Sequence, residues 1–171
     1  MLTLLLVALP LAGCAAVFAL PEREAVRFSV LVTSLTLLDA VVLAASFDYD
    51  RAAEIQKAVD WSWVSAIGLR FHLGVDGISL PLVMLTALLT MLCTIYLLRP
   101  TSMPNQPRFL TSLLMLLEVG MIGTFVALDL LLFFVFFELV LLPMYAVIAG
   151  WGGPGRTAVA GRRRNGQRHA V

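Results

Sequence analysis

Charge is scarce in this 171-residue sequence: Asp, Glu, Lys and Arg together make up 13% of it, about half the share usual in soluble domains. The few charges cluster between apolar runs rather than along one face of amphipathic helices, so a water-exposed globular surface is excluded. Cysteine is scarcer still. Cys14 and Cys93 are the two present, each inside an apolar run with no second Cys or His nearby, which leaves neither a disulfide framework nor a metal site to expect. Basic residues do not spread into a patch. The one Arg-rich cluster stands at the very end of the chain, and nucleic-acid binding has no electrostatic footprint.

What the sequence does have is apolar length, with 60% hydrophobic residues and a mean hydropathy of +0.94. A spanning helix needs roughly 20 such residues. Five windows qualify: 2–20, 26–47, 78–98, 109–128 and 130–150. The fourth and fifth are nearly continuous. Together they are far too long for one span, and Asp129 marks the expected reversal. The expected fold is therefore all-α, a polytopic transmembrane bundle of about five spans. Leu11-Ala12-Gly13-Cys14 matches the pattern at which bacterial lipoprotein signals are cut. No Lys or Arg precedes it, however, and the apolar run continues to Leu20, so a plain first span is the better reading.

The only long polar loop, residues 48–77, separates spans two and three. Within it Trp61, Trp63, Leu69, Phe71 and Leu73 recur with period two around Gly68, which predicts a short extramembrane β-hairpin with its tryptophans at the membrane interface. Gly74-Val75-Asp76-Gly77-Ile78-Ser79 then leads into the third span, with Asp76 or Ser79 as an N-cap oxygen. With the N-terminus outside, the inner side holds Arg23, Arg27, Arg99, Arg108 and the arginines of the tail, against Arg51, Lys57 and Arg70 outside. That density bias favours this orientation.

Two carboxylates carry the chemistry. Glu118 stands 11 residues before Asp129 and Glu138 nine after it, so both fall about 13–16 Å into their helices. A charged residue at such depth costs about 2.5–3.5 kcal/mol on insertion scales and rarely faces lipid. In an antiparallel hairpin the two acids lie at similar depth, close enough in principle to share a proton or a water. Pro143, five residues beyond Glu138, cannot donate to the carbonyl of Leu139, which leaves a free acceptor beside the acid. Tyr145 follows seven residues after Glu138 and shares its face. Asp39, late in the second span, is a weaker candidate. No Lys or Arg occurs in spans three to five. A carboxyl whose proton affinity is switched by a mobile cation is a proton-relay element, and here that cation has to come from outside the chain. Glu138 is the expected proton-transfer residue, Glu118 a candidate relay, and Pro143 and Tyr145 structural neighbours of the site.

The stretch 61–80, with Gly74-Val75-Asp76-Gly77-Ile78-Ser79-Leu80, and the stretch 118–153, with Pro143-Met144-Tyr145 and Trp151-Gly152-Gly153, resemble the subunit M family of bacterial NADH:quinone oxidoreductase, respiratory complex I. The similarity reaches from the start to about Gly153. It implies an antiporter-like, proton-translocating subunit of the bacterial inner membrane that couples quinone reduction to proton transfer. The resemblance also implies that the chain acts as part of an enzyme rather than alone, with other membrane subunits and lipid as partners. No cofactor is implied in this subunit. It further implies that Glu138 matches an essential glutamate of the fifth helix, paired with a lysine two helices later. Family members are about three times longer. After Gly153 the text turns polar and Gly/Arg-rich, and residues 154–171 read as out of frame or disordered. A multisubunit cation/proton antiporter and a non-transporting membrane fragment are the alternative readings.

Overall fold

The computed structural model describes residues 1–64, 69–99 and 106–151. The hairpin turn at Gly68, the Gly152-Gly153 pair, the 154–171 tail and the side chains of Trp61 and Trp63 lie outside the described residues. In chain order the elements are α1 (Leu2–Ala16, extended by a 3-10 turn Val17–Ala19), α2 (Glu22–Ala45), β1 (Gln56–Val64), β2 (Leu69–Val75), α3 (Ser79–Tyr96), α4 (Pro107–Val126) and α5 (Leu130–Trp151). All five helices are long and apolar enough to cross a membrane. In hydrocarbon a backbone must satisfy its own polar groups, which an α-helix does within one segment. The chain is thus a multi-pass membrane helix bundle, as its apolar windows indicate.

Local chemistry sets the ends. Pro21 is the N-cap of α2, and Glu22 and Glu24 occupy its first turn. Proline has no N–H to leave unpaired there, and the acids complement the helix dipole. The helix consequently starts about one turn before its apolar stretch does. At the head of α3 the backbone N–H of Ser79 donates to Asp76 Oδ1 (2.7 Å) and the N–H of Asp76 donates to Ser79 Oγ (2.9 Å). This reciprocal cap holds the Asp76 carboxyl below the usual carboxylate range. Between α4 and α5 the reversal falls at Asp129, whose Oδ1 accepts from the N–H groups of Leu131 and Leu132.

The hairpin is antiparallel, with Trp61 opposite Phe71 and Val59 opposite Leu73. It is anchored to the bundle rather than free at the surface. Leu73 and Val75 are fully buried and join a core with Leu6, Leu43, Val83, Val119, Ile122 and Phe136. The N–H of Leu128 donates to the His72 carbonyl (2.9 Å) and Leu73 bridges to Ala127, so β2 caps the α4–α5 turn. Thr3 Oγ1 donates to the Lys57 carbonyl (2.8 Å), tying β1 to the start of α1.

α4 is the most buried of the five helices and α5 the least. Small residues seat them together. A Cβ on Gly120 would stand 2.6 Å from Val140 Cγ2, and one on Gly123 would fall on the Phe136 ring. Close packing across glycines is how helices associate where no hydrophobic force separates them from lipid. It also fixes the rotation of α5: Leu132, Phe136 and Pro143 turn inward, and Phe134, Leu142 and Tyr145 outward.

Candidate functional site

Glu118 occupies the centre of the bundle. Its residue is fully buried, and neither carboxylate oxygen has a hydrogen-bond partner among the described residues. It stands 11 residues into α4, about 16 Å from the helix start, on the side facing α3. The polar side chain that bears on it is that of Thr90. Burying an acid with neither oxygen hydrogen-bonded is costly.

Glu138 is placed differently. It is exposed in the isolated chain, on the outward side of α5 and away from the α4 contact made through Phe136 and Val140. Tyr145, 76% exposed, lies on the same outward side two turns on, as the spacing of seven requires. Pro143 is buried within α5, one turn beyond the Leu139 carbonyl that it leaves without a donor. Depth therefore brings Glu118 and Glu138 to comparable levels, but helix rotation directs them to different surroundings. No direct hydrogen bond joins them, since both oxygens of Glu118 are unpartnered. Asp39 is intermediate: one of its oxygens, Oδ2, is buried without a partner, six residues before the end of α2.

A group of buried hydroxyls that sequence reasoning missed lies inside the bundle, with Thr90 the member that bears on Glu118. Thr86, Thr90 and Thr94 on α3 recur at intervals of four and are all buried. Ser29, Thr33 and Thr36 on α2 are buried as well, as is Thr111, which shares the Glu118 face of α4 seven residues earlier. Thr33 Oγ1 and Thr94 Oγ1 lie 3.0 Å apart, linking α2 to α3. The signal was present in the sequence as the Thr-x-x-x-Thr-x-x-x-Thr repeat of the third span. Three hydroxyls at a period of four make one helical stripe.

Cysteine chemistry plays no part in this constellation. Cys14 Sγ donates to the Ser112 carbonyl (3.4 Å) and Cys93 is exposed, both as free thiols. No group of three or more His, Cys, Asp and Glu able to hold a metal occurs among the described residues.

Fold and site together define a multi-pass membrane protein with ionisable groups at hydrocarbon depth on two adjoining helices. No family model matches the chain. Relatives nevertheless do: NAD(P)H-quinone oxidoreductase chain 4 of Gloeobacter violaceus is 38% identical over 158 residues, covering 91% of this chain and 29% of the relative. NADH-quinone oxidoreductase subunit M of Rickettsia conorii is 39% identical over 135 residues, 77% of this chain and 26% of the relative. Among solved structures, respiratory complex I from Thermus thermophilus with bound NADH contains a chain that superposes with a TM-score of 0.74 at 29% identity, over 92% of this chain and 31% of that one. Homologues of this chain are thus subunit M and chain 4 of the NAD(P)H-quinone oxidoreductases, and it spans under a third of the length of these relatives.

Proposed function

We propose that the chain is part of a proton-translocating membrane subunit of an NADH:quinone oxidoreductase, in which quinone reduction drives proton transfer across a bacterial inner membrane. The observation that carries this reading is the 38% identity extending over 91% of the chain. The placement of Glu138 supports it. An intramembrane carboxyl rarely faces lipid, yet Glu138 is exposed here on a helix that the chain leaves largely uncovered. Further protein has to cover that face, and relatives more than three times as long have the chain to do so. A cation on the covering protein stabilises the carboxylate when near and releases it to take a proton when distant. Glu138 is the proton-transfer residue in this reading, with Pro143 and Tyr145 shaping its surroundings. Other complex I subunits are the assembly partners, and NADH oxidation takes place outside this chain.

A chimera tests the proposal. The aligned segment of the Gloeobacter relative is replaced by residues 1–151 and the assembled enzyme is reconstituted in vesicles. Quinone-dependent acidification of the lumen is expected. A chimera that assembles and reduces quinone without moving protons, where its parent does move them, would overturn the reading. The same vesicles report orientation, with the hairpin face outside and the starts of α2 and α4 inside. A cysteine at Lys57 is labelled from outside and one at Arg108 is not, and the reverse pattern inverts the topology.

A further inference from the structure

At the end of the bundle opposite the hairpin, α3, α4 and α5 do not close on one another. They leave a groove of about 390 Å³ that is open at the side. Leu89, Leu92 and Tyr96 of α3 form one wall, Val147 and Trp151 of α5 the other, and Leu110 of α4 is buried at the floor. From Leu89 to Tyr96 the first wall runs about 10 Å along its helix, and its three side chains are half-exposed.

The mouth of the groove has a different chemistry. Tyr96 is the last residue of α3 and Trp151 the last of α5, and tyrosine and tryptophan at helix ends mark the level of the lipid headgroups. Trp151 lies against Phe109, with ring centroids 6.0 Å apart. Just beyond Tyr96, the Arg99 guanidinium stands over the Tyr96 ring, 5.8 Å from its centroid. Such a contact orients a cation without neutralising it. Arg99 pairs with no acid among the described residues, and the neighbouring sequence offers none: from Ile78 to Leu117 there is no Asp, Glu or Lys, and Arg99 and Arg108 are the charges. Arg108 is engaged elsewhere, its Nη1 donating to the Leu20 carbonyl (3.4 Å), and Arg27 is paired with Glu24. A positive charge without a protein counter-charge thus stands at the mouth of a hydrocarbon-lined groove.

We propose that this groove binds an anionic phospholipid, with one acyl chain lying between the α3 and α5 walls and the headgroup phosphate on Arg99. An apolar groove beside the bilayer takes hydrocarbon from any lipid, so the acyl chain brings no selectivity. The headgroup does. A guanidinium presents its donors as a fork that matches phosphate oxygens, and a zwitterionic lipid brings an ammonium of its own to compete for that phosphate, whereas phosphatidylglycerol does not. Basic pockets between spanning helices hold acidic headgroups for this reason. The site is separate from Glu118 and Glu138, and it stands or falls independently of proton translocation.

Quenching of Trp151 fluorescence by brominated lipid tests the proposal, in the full chain reconstituted in phosphatidylcholine vesicles. Trp61→Phe and Trp63→Phe leave Trp151 as the one tryptophan. Dibrominated phosphatidylglycerol is expected to occupy the site about fivefold more tightly than dibrominated phosphatidylcholine, the advantage that one basic side chain gives at a membrane surface. Arg99→Gln should bring the two lipids to parity and Arg99→Lys should keep most of the preference. Arg27→Gln, on the same face but paired with Glu24, should leave it unchanged. Circular dichroism confirms that each variant is folded. If the double Phe background is not, the difference between wild type and Arg99→Gln carries the test, because Trp61 and Trp63 belong to the hairpin at the other end of the bundle. Equal quenching by the two lipids in a chain with Arg99 intact would overturn the proposal, and so would a preference that survives Arg99→Gln. Quenching by neither lipid would show that protein covers the groove, a second copy of the chain included, and overturns it as well.

Discussion

Glu118→Leu is expected to make this bundle more stable. The carboxyl is fully buried, and among the described residues both of its oxygens lack hydrogen-bond partners and no cation compensates it. An unsatisfied buried polar group costs about 1–3 kcal/mol. An apolar side chain of similar size removes that penalty and leaves the volume filled. Part of the gain is offset because a helix separated in the membrane finds other partners for its polar groups, so the lower half of the range, about 1–2 kcal/mol, is the expected stabilisation. Unfolding in mixed micelles, titrated with a denaturing detergent and followed by helical dichroism, measures it. Glu118→Gln is the control. It keeps the polar atoms, and its stability should stay within about 0.5 kcal/mol of the wild type, the spread of substitutions that remove no named interaction. A Glu118→Leu bundle less stable than wild type by 1 kcal/mol or more would refute the reasoning, because it would mean that the carboxyl has partners worth more than its burial costs. A residue retained against stability is what a functional intramembrane acid looks like.

Gly123→Val is expected to destabilise the α4–α5 contact by about 1–3 kcal/mol, since its Cβ falls on the Phe136 ring; the same titration checks this, with Gly150→Ala, where a Cβ meets nothing within 4 Å, as the control. Asp76→Ala should cost about 1 kcal/mol by removing the cap on α3. Because the Asp76 carboxyl is held below its usual range by the Ser79 N–H, the stability it contributes is complete above its unfolded value near about pH 4 and is lost as pH falls through the lower folded value. Asp76→Asn, which still caps, should flatten that acid limb of the pH–stability curve, and an unchanged limb would show that another group is responsible.

The spans were legible because lipid is a simple solvent. Length and apolarity alone decide what crosses it, and Asp129 could be read as the break between two nearly continuous windows because a charge does not stay at depth without cause. Its role as the cap of α5 is the same fact seen locally. α2 began earlier than its apolar stretch because hydropathy is blind to a polar first turn, Glu22 to Glu24, that Pro21 and the helix dipole favour. The hairpin was readable from its alternation. That Leu73 and Val75 would be sunk into the helical core was not, because period two gives two faces without saying which is covered. The site was legible in depth and not in direction. α5 is apolar all round, so nothing in its own residues says that Glu138 turns outward; that rotation comes from Gly120 and Gly123 on α4. The buried hydroxyls have the same origin, since Thr94 meets Thr33 only once α2 packs against α3.

The central claim is that an acid at mid-depth on α5 moves protons, and the most direct measurement is the number of protons translocated per quinone reduced by the assembled, full-length enzyme carrying Glu138→Gln. The amide matches the acid in size and cannot take up or release a proton. The account predicts a ratio reduced relative to wild type, with the enzyme still assembled and Glu138→Asp retaining part of the loss-free value. A wild-type ratio in Glu138→Gln would contradict it.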